Sequence, residues 1–259
     1  MQNAVKFREK LKNRHVCLGA SITLYDPTVT DALCSVFDFV WIDMEHNALS
    51  LESIQAHIMA AEKSSAASLV RVPSHDPAVI KTVLDIGADG IIVPNVRTPG
   101  EARQAVAACR YPPEGIRGYG PRRPSGYGRT GGRGFCKAAN QAVIAVAQIE
   151  HIEAIQAIDE ILAVPGVDSI VFGPNDLSGS MGHMGEPRHP EVLQAMETAA
   201  SKTLKTKVSL GIGAGDLNEL HDWIYKGAHW VAVDDDISFL MKAADESIVT
   251  LRRPSASAI

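Results

Sequence analysis

Apolar runs rich in β-branched residues recur along the chain, and segments with helical spacing separate them. The runs that predict strands are HVCLGAS, FDFVWIDME, ASLVRVP, DGIIVPNV, VIAVAQIE, DSIVFGP, VSLGIGAG and WVAVDDD. The intervening SLESIQAHIMAAEKS, PAVIKTVLDIG and EVLQAMETAASKTL place apolar residues at the three- and four-residue intervals of an amphipathic helix. Because the strands are apolar throughout, we expect both of their faces to be buried, as in a parallel sheet.

Eight such strand–helix units predict an α/β protein with the (β/α)₈ TIM-barrel fold. The segment SFLMKAADESIVTLRR would supply the last helix. A doubly wound open sheet is the alternative, but eight strands of this regularity are more typical of the barrel. Since no segment has the composition of an interdomain linker, we expect residues 1–259 to form a single barrel domain, with a loose C-terminal tail at about 252–259.

One segment, residues 111–135, interrupts this regular alternation. It contains eight glycines, four prolines and five arginines, which predicts a long irregular loop. A solvated surface loop is one interpretation, and RNA binding through GRTGGRG is a weaker one because the chain as a whole is acidic. Loops of this length in compact domains are often functional. Our hypothesis is that the loop reaches across a subunit interface, toward a partner's barrel mouth and an acidic substrate tail.

Composition excludes several classes of partner. The net charge of −5 provides no basic field for nucleic acid. The N-terminus lacks the apolar core of a signal peptide, and no apolar run is long enough to cross a membrane. Four cysteines without C-x-x-C spacing are typical of reduced thiols. These features predict a cytoplasmic protein without nucleic-acid or membrane partners.

Polar residues follow several of the predicted strands at their carboxyl ends. A (β/α)₈ barrel carries its chemistry at this end, where all of the loops that follow the strands converge. The strand ends carry Asp43, Glu45 and His46 after the second strand, Arg71 on the third, Gln148 and Glu150 on the fifth, and Asn175 and Asp176 after the sixth.

Glu150 and Asp176 follow neighbouring strands, so two carboxylates should meet at the mouth. A divalent cation would relieve their repulsion, and an all-oxygen site suits Mg²⁺ or Mn²⁺. Such a half-open site suits a chelating 2-oxo acid, whose keto group the metal would polarise. Arg71 would stabilise an enolate or carboxylate oxygen, and His46 has the side chain best suited to proton transfer near neutral pH.

Several motifs together resemble those of the HpcH/HpaI aldolases. They are WIDMEHN, LVRVPSHDP, VLDIGADGIIVPNV, YPPEGIRG, AQIE and GVDSIVFGPNDLSGSMG, within a span from about GASIT to VAVDDD. The resemblance implies a class II pyruvate aldolase that reversibly cleaves a 4-hydroxy-2-oxo acid to pyruvate and an aldehyde. It also implies dependence on Mg²⁺ or another divalent metal such as Mn²⁺ or Co²⁺.

The resemblance further implies a role for each matching position. Those roles are His46 as the base, Arg71 as the stabiliser of the enolate, Glu150 and Asp176 as metal ligands, and Gln148, Gly173, Asn175 and Asp176 as substrate-binding residues. Departures from the common family pattern at Met44, Asn47 and Asn175 leave the aldehyde partner open.

Asp85 matches an aspartate that the family pairs with its histidine. Its position late in the predicted helix after the third strand should direct it away from the mouth. Either that helix is short or bent, or Asp85 serves a neighbouring subunit. The second possibility agrees with a homo-oligomer, which the resemblance implies to be a hexamer.

Three functions remain compatible with the sequence. The first is the aldolase, and the second is an oxaloacetate decarboxylase or a macrophomate-synthase-like enzyme that forms carbon–carbon bonds through the same pyruvate enolate. The third is a catalytically silent barrel used for binding or assembly. Retention of the strand-end groups disfavours the silent barrel, because such a protein has no need of paired carboxylates.

Overall fold

Eight parallel strands form a closed ring in chain order. A computed structural model describes residues 1–213 and 216–252 of the chain. The strands are β1 Cys17–Ile22, β2 Phe39–Asp43, β3 Ala67–Arg71, β4 Gly90–Val93, β5 Ile144–Ile149, β6 Ser169–Phe172, β7 Ser209–Gly213 and β8 Trp230–Asp235. Each strand pairs with the next, and β8 pairs with β1. The predicted (β/α)₈ barrel is confirmed, and the open sheet is excluded.

Helices follow every strand, and one helix precedes the barrel. Their bounds are α1 Gln2–Lys12, α2 Pro27–Leu33, α3 Leu51–Lys63, α4 Pro77–Asp85, α5 Pro99–Cys109, α6 Gly132–Ala142, α7 Ile152–Gln156, α8 Ile158–Leu162, α9 Pro174–Ser180, α10 Pro190–Thr203, α11 Leu217–Lys226 and α12 Asp236–Arg252. Local sequence sets several starts: Asp26, Asp76 and Thr98 accept first-turn backbone N–H groups, each followed by a proline.

Two apolar cores lie on the two sides of the sheet. The outer core packs alternate strand residues such as Ile42, Val70 and Ile170 against the helices. The inner core fills the barrel with Phe39, Trp230 and other inward-facing side chains. Burial on both sides explains the uninterrupted apolar strands.

Helix α1 closes the barrel at the amino ends of the strands. Its Phe7 and Leu11 belong to the inner core. Arg8 forms hydrogen bonds of 2.5 and 2.9 Å to the two carboxylate oxygens of Asp168, while Asp89 accepts the Ala4 N–H at 3.1 Å. Helix α1 therefore covers the inner core at this end of the barrel.

The glycine- and arginine-rich segment is shorter than its composition predicts. Helix α6 begins at Gly132, because the residues that follow include an apolar face that buries Phe135. The irregular portion packs on its own barrel, where Arg117 pairs with Asp85 of α4 and Arg123 pairs with Glu62 of α3. Its contacts in an assembly remain a prediction.

Helix α12 ends at Arg252, where the predicted tail begins. The rest of the predicted tail, residues 253–259, lies outside the described residues. Across the described parts of the chain, none of the helices combines the length and apolarity that a membrane span requires.

Glycine in the inner core gives a stability prediction. A Cβ at Gly211 would collide with the Trp230 ring, which is fully buried. We expect Gly211→Ala to lower the free energy of unfolding by about 1–3 kcal/mol, the usual cost of overpacking a core. Urea denaturation followed by circular dichroism measures the change.

Gly134 of α6 is the matched control, because a Cβ there meets nothing within 4 Å. Gly134→Ala should be neutral or stabilise the protein by up to about 1 kcal/mol, since alanine is the better helix former. Equal stability of the Gly211→Ala and wild-type proteins would contradict this account of the inner core.

Candidate active site

A cavity of about 560 Å³ opens at the carboxyl ends of the strands. Its size is typical of small-molecule sites, and its position is the one at which barrel enzymes carry their chemistry. The residues that line it are Ser21, Thr23, Trp41, Asp43, His46, Arg71, Gln148, Glu150, Phe172, Gly173, Pro174, Asn175, Asp176, Gly213, Ala232, Asp234 and Asp235. The structure therefore brings together every predicted site residue except Asp85.

A bidentate ion pair fixes Arg71 in this cavity. Its Nε and Nη2 donate to the two carboxylate oxygens of Asp43, each at 2.8 Å. Burial opposes ionisation of Asp43, but the hydrogen bonds and charge of Arg71 outweigh it and hold the pKa of Asp43 below its ordinary value. The guanidinium also lies 5.2 Å from the centre of the Trp41 ring. Arg71 is thus held as a positioned cation at the mouth.

Glu45 connects Arg71 with His46. Its Oε2 lies 3.2 Å from Arg71 Nη1 and 3.6 Å from His46 Nε2. Burial raises the pKa of Glu45, although the charge of Arg71 opposes the shift. The His46 side chain is 60% exposed and can reach a ligand in the cavity. The sequence marks Glu45 as a strand-end acid, but only the structure shows this contact.

Glu150 is a buried acid held by hydrogen bonds. Its Oε1 accepts the Asn95 N–H at 2.6 Å, and its Oε2 accepts from Gln148 Nε2 at 2.5 Å. Burial raises the pKa of Glu150, and the nearby charge of Asp176 raises it further. Among the described residues, neither acid has an ion-pair partner within 4.0 Å.

These two carboxylates fit a divalent cation. Glu150 is only 2% exposed, and a carboxylate so placed requires a compensating charge that the described side chains do not provide in contact. Each carboxylate oxygen of Glu150 accepts one hydrogen bond and retains a second lone pair. The donor set is hard oxygen, as Mg²⁺ and Mn²⁺ prefer.

The lack of a side chain at Gly173 makes room for the Glu150 side chain. A Cβ at this position would collide with Glu150 Oε2 and lie 2.8 Å from Glu150 Cβ and 3.1 Å from Gln148 Nε2. The glycine immediately precedes α9, whose first turn carries Asn175 and Asp176. A residue without a side chain is therefore needed where β6 passes the buried acid.

Asp85 lies away from the cavity. It is the last residue of α4, and its Oδ1 accepts a hydrogen bond from Arg117 at 2.7 Å. Because each barrel helix runs back from the mouth, its carboxyl end lies near the opposite face. Within its own chain, Asp85 therefore does not meet His46. That Asp85 acts at the mouth of a neighbouring subunit remains a prediction.

The cavity also contains residues for which the sequence pattern predicts no role. They include Ser21 and Thr23 from β1 and its following loop, Trp41 of β2, and Asp234 and Asp235 of β8. The expectation that functional residues lie at the carboxyl ends of the strands could have identified the two aspartates. The run WVAVDDD ends on acids, as the run VIAVAQIE does. Trp41 carries no comparable signal, because an apolar strand residue ordinarily belongs to the core.

A second group of potential ligands lies in the loop before α10. The ligand atoms of His183, Glu186 and His189 are within 4.8 Å of one another. However, His189 Nδ1 already accepts the Glu191 N–H at 3.3 Å as the N-cap of α10. The stacked imidazoles of His183 and His189 are 3.5 Å apart. Of the three residues, His189 therefore has a structural role as a helix cap, and His183 Nε2 lies 3.2 Å from Glu191 Oε2.

Comparison with known proteins places the chain in a family. The model of the HpcH/HpaI aldolase/citrate lyase family matches residues 25–243. A 2-dehydro-3,6-dideoxy-6-sulfogluconate aldolase from Pseudomonas putida is 34% identical over 93% of this chain and 95% of its own. A 5-keto-4-deoxy-D-glucarate aldolase from Escherichia coli is 33% identical over 96% of this chain and 97% of its own. These relatives are aldolases, so the predicted carbon–carbon lyase class is confirmed.

Solved structures agree with this relationship. An HpcH/HpaI aldolase/citrate lyase family protein from Burkholderia cenocepacia superposes with a TM-score of 0.90 at 30% identity, covering 95% of this chain and 99% of that one. Macrophomate synthase superposes with a TM-score of 0.85 at 27% identity, covering 95% and 88%. The chain belongs to the HpcH/HpaI aldolase/citrate lyase family.

Proposed function

We propose that this protein is a divalent-metal-dependent aldolase that reversibly cleaves a 4-hydroxy-2-oxo acid to pyruvate and an aldehyde. The observation that carries the proposal is the buried Glu150, which lies beside Asp176 without an ion-pair partner among the described residues, in the same cavity as the fixed Arg71. Membership of an aldolase family supports it.

Glu150 and Asp176 would hold the metal. Mg²⁺ is our first choice, with Mn²⁺ or Co²⁺ as alternatives, because both ligands are carboxylates. When bound, the metal supplies Lewis-acid polarisation of the keto group. Gln148 and the Asn95 N–H orient Glu150 through the hydrogen bonds to its two carboxylate oxygens.

Arg71 would bind the oxygen on which negative charge develops. Cleavage breaks the C3–C4 bond, C4 becomes the aldehyde carbon, and the bonding electrons form the pyruvate enolate. Asp43 fixes the guanidinium before the charge appears, so little reorganisation is needed. Gln148, Gly173, Asn175 and Asp176 would form the substrate-binding surface around this group.

His46 would accept the proton of the 4-hydroxyl. That proton must leave for C4 to become a carbonyl carbon, and histidine is suited to receive it near neutral pH. Glu45 lies 3.6 Å from His46 Nε2 and would stabilise the imidazolium that forms. The proton at C3 of the released pyruvate then arrives from the base or from water.

Oxaloacetate decarboxylation, or a macrophomate-synthase-like reaction, is the second candidate. It is favoured by the close superposition of macrophomate synthase on this chain. Both reactions would proceed through a pyruvate enolate and would use the same cation site and Arg71. The two reactions differ in their need for a base. Aldol cleavage requires one to accept the 4-hydroxyl proton, whereas loss of CO₂ does not.

We also propose a cytoplasmic homo-oligomer, with a hexamer as the expected form, and small 2-oxo acids and aldehydes as its ligands. Helix α12 supports assembly, because Leu240, Met241 and Val249 on it are more than half exposed. An uncovered group of large apolar side chains is typical of an interaction surface. In such an assembly, Asp85 of one copy could approach the mouth of another.

Removal of the metal tests the proposal directly. We expect EDTA to abolish pyruvate formation from 4-hydroxy-2-oxo acids, and added Mg²⁺ or Mn²⁺ to restore it. Glu150→Gln and Asp176→Asn each keep the shape but remove one negative charge, so excess metal should restore their activity only incompletely. A coupled pyruvate assay measures each rate. Wild-type activity that persists in EDTA would overturn the proposal.

The glycine beside Glu150 gives a second test of the cation site. Gly173→Ala should displace the Glu150 carboxylate and weaken Mn²⁺ binding by about tenfold or more, as losses of ligand orientation commonly do. Isothermal titration calorimetry measures the affinity. Gly213→Ala is the matched control, because a Cβ there lies 3.7 Å from Trp41 Cζ3, an ordinary contact. Equal Mn²⁺ affinities in the two variants would contradict the prediction.

His46→Ala separates the two candidate reactions. We expect aldol cleavage to fall roughly a hundred- to ten-thousand-fold, the usual contribution of one acid–base group. Oxaloacetate decarboxylation should fall much less, because losing CO₂ generates the enolate without a base. The two rates are measured on the same enzyme preparation at saturating metal. An equal loss in both reactions would assign His46 to substrate binding or to the shape of the site.

A further inference from the structure

The loop between β4 and α5 supplies one of the two hydrogen bonds that hold the Glu150 carboxylate. Strand β4 ends at Val93 and Thr98 is the N-cap of α5, so residues 94–97 make up this loop. The Asn95 N–H donates to Glu150 Oε1 at 2.6 Å. A main-chain donor cannot change rotamer, so the path of the loop alone determines where this N–H points.

The backbone of Asn95 is left-handed at this point, with a φ of 54°. In this region the Cβ of an L-residue approaches the following carbonyl oxygen, which makes the conformation unfavourable for most residues and least so for glycine and asparagine. The other described non-glycine residues with positive φ are Arg14, Ser65 and Tyr127, which lie in turns outside the cavity. Asn95 is thus the one whose unusual backbone contacts a residue that lines the cavity, Glu150.

Strand β5 anchors the loop on both sides of Asn95. Before it, Val93 pairs in register with Ala147. After it, the Val96 N–H donates to the Gln148 carbonyl oxygen at 3.3 Å, and the Val96 side chain is fully buried. An unfavourable backbone conformation persists where the surrounding structure fixes it in this way, and such positions cluster at functional sites.

The side chain of Asn95 lies outside the cavity. Asn95 is exposed and is not among the residues that line the cavity. Its Oδ1 accepts a hydrogen bond from Arg97 Nη2 at 3.3 Å. Arg97 is itself tied to the start of α5, because its N–H donates to Glu101 Oε2 at 2.8 Å. The contribution of Asn95 to the site is therefore its backbone N–H.

We propose that Asn95 is a positioning residue for the cation site, and that it acts through its left-handed backbone rather than through its amide side chain. This inference rests on the proposed function, since the Glu150 carboxylate that Asn95 orients is a ligand of the proposed metal. With Oε1 held by this N–H and Oε2 by Gln148, the carboxylate keeps one orientation before a cation arrives. Position 95 therefore requires a residue that tolerates positive φ.

The test is Mn²⁺ binding to the metal-free, full-length protein, measured by isothermal titration calorimetry. Asn95→Val introduces a β-branched residue, which strongly disfavours positive φ, and should weaken Mn²⁺ binding by about tenfold or more. Asn95→Gly also removes the amide side chain, but glycine adopts positive φ without steric cost. It should retain most of the wild-type affinity. A role for the side chain would instead weaken binding in both variants.

Ser65→Val is the matched control. Ser65 is also exposed and has a φ of 66°, but it lies in the turn between α3 and β3, outside the cavity. The substitution imposes the same backbone conflict and should lower the melting temperature without changing Mn²⁺ affinity. Circular dichroism melts show that each variant folds. They also provide a second measurement, because the rise in melting temperature on adding Mn²⁺ should be smaller for Asn95→Val than for Ser65→Val.

The possible results separate this inference from the proposed function. Wild-type affinity in Asn95→Val, or equal losses in Asn95→Val and Asn95→Gly, would overturn the positioning role of the Asn95 backbone alone. If Asn95→Val does not fold, Asn95→Ala replaces it, because alanine also disfavours positive φ but lacks the β-branch. Failure of the wild-type protein to bind Mn²⁺ would instead overturn the proposed metal-dependent function.

Discussion

Closure of the strand ring between β8 and β1 is the constraint on which the rest of this structure depends. It gives every strand two neighbours and leaves no sheet edge, and it forces eight carboxyl ends to surround one opening. Residues separated by more than two hundred positions, such as Ser21 and Asp235, become neighbours only through this pairing. A β-bulge at the same seam then places Asp234 and Asp235 together at the cavity.

Buried carboxylates have ion-pair partners at the amino end of the barrel, whereas Glu150 at the mouth has none among the described residues. At the amino end, Asp168 is paired with both Arg8 and Arg110, and Asp89 accepts several hydrogen bonds beneath α1. At the mouth, Arg71 is paired, but Glu150 is buried beside another acid. Removing a charge from water costs several kcal/mol unless a partner compensates it. The fully paired end is structural, and the uncompensated end is where a ligand can contribute the missing charge.

Small residues at the inner surface make this mouth possible. Phe39 and Trp230 are large, and they fit because Gly19 and Gly211 lie against their rings. Gly173 has the same role nearer the mouth, beside Glu150 rather than beside an aromatic ring. The geometry of the candidate site is therefore an extension of the packing that fills the barrel, and a single methyl group could disturb either of them.

The sequence by itself determined the fold class and most of the cavity lining. Eight uninterrupted apolar strands separated by helices allow few arrangements other than the barrel, and a barrel assigns His46, Arg71, Gln148, Glu150 and Asp176 to one end without further information. The placement of Asp85 away from that end also follows from the sequence, because it depends only on the direction of a helix after its strand.

Only the tertiary structure decided which of these groups touch. Three contacts depend on side-chain directions across different strands. They are the hydrogen bonds that Arg71 donates to Asp43, the position of Glu45 between Arg71 and His46, and the hydrogen bond from the Asn95 N–H to Glu150. The joint placement of Asp234 and Asp235 at the cavity depends on a one-residue bulge, which no hydrophobic pattern encodes. Apolar periodicity specifies which face of an element is buried. Contact between two elements also requires their register, and the closed ring fixes that register.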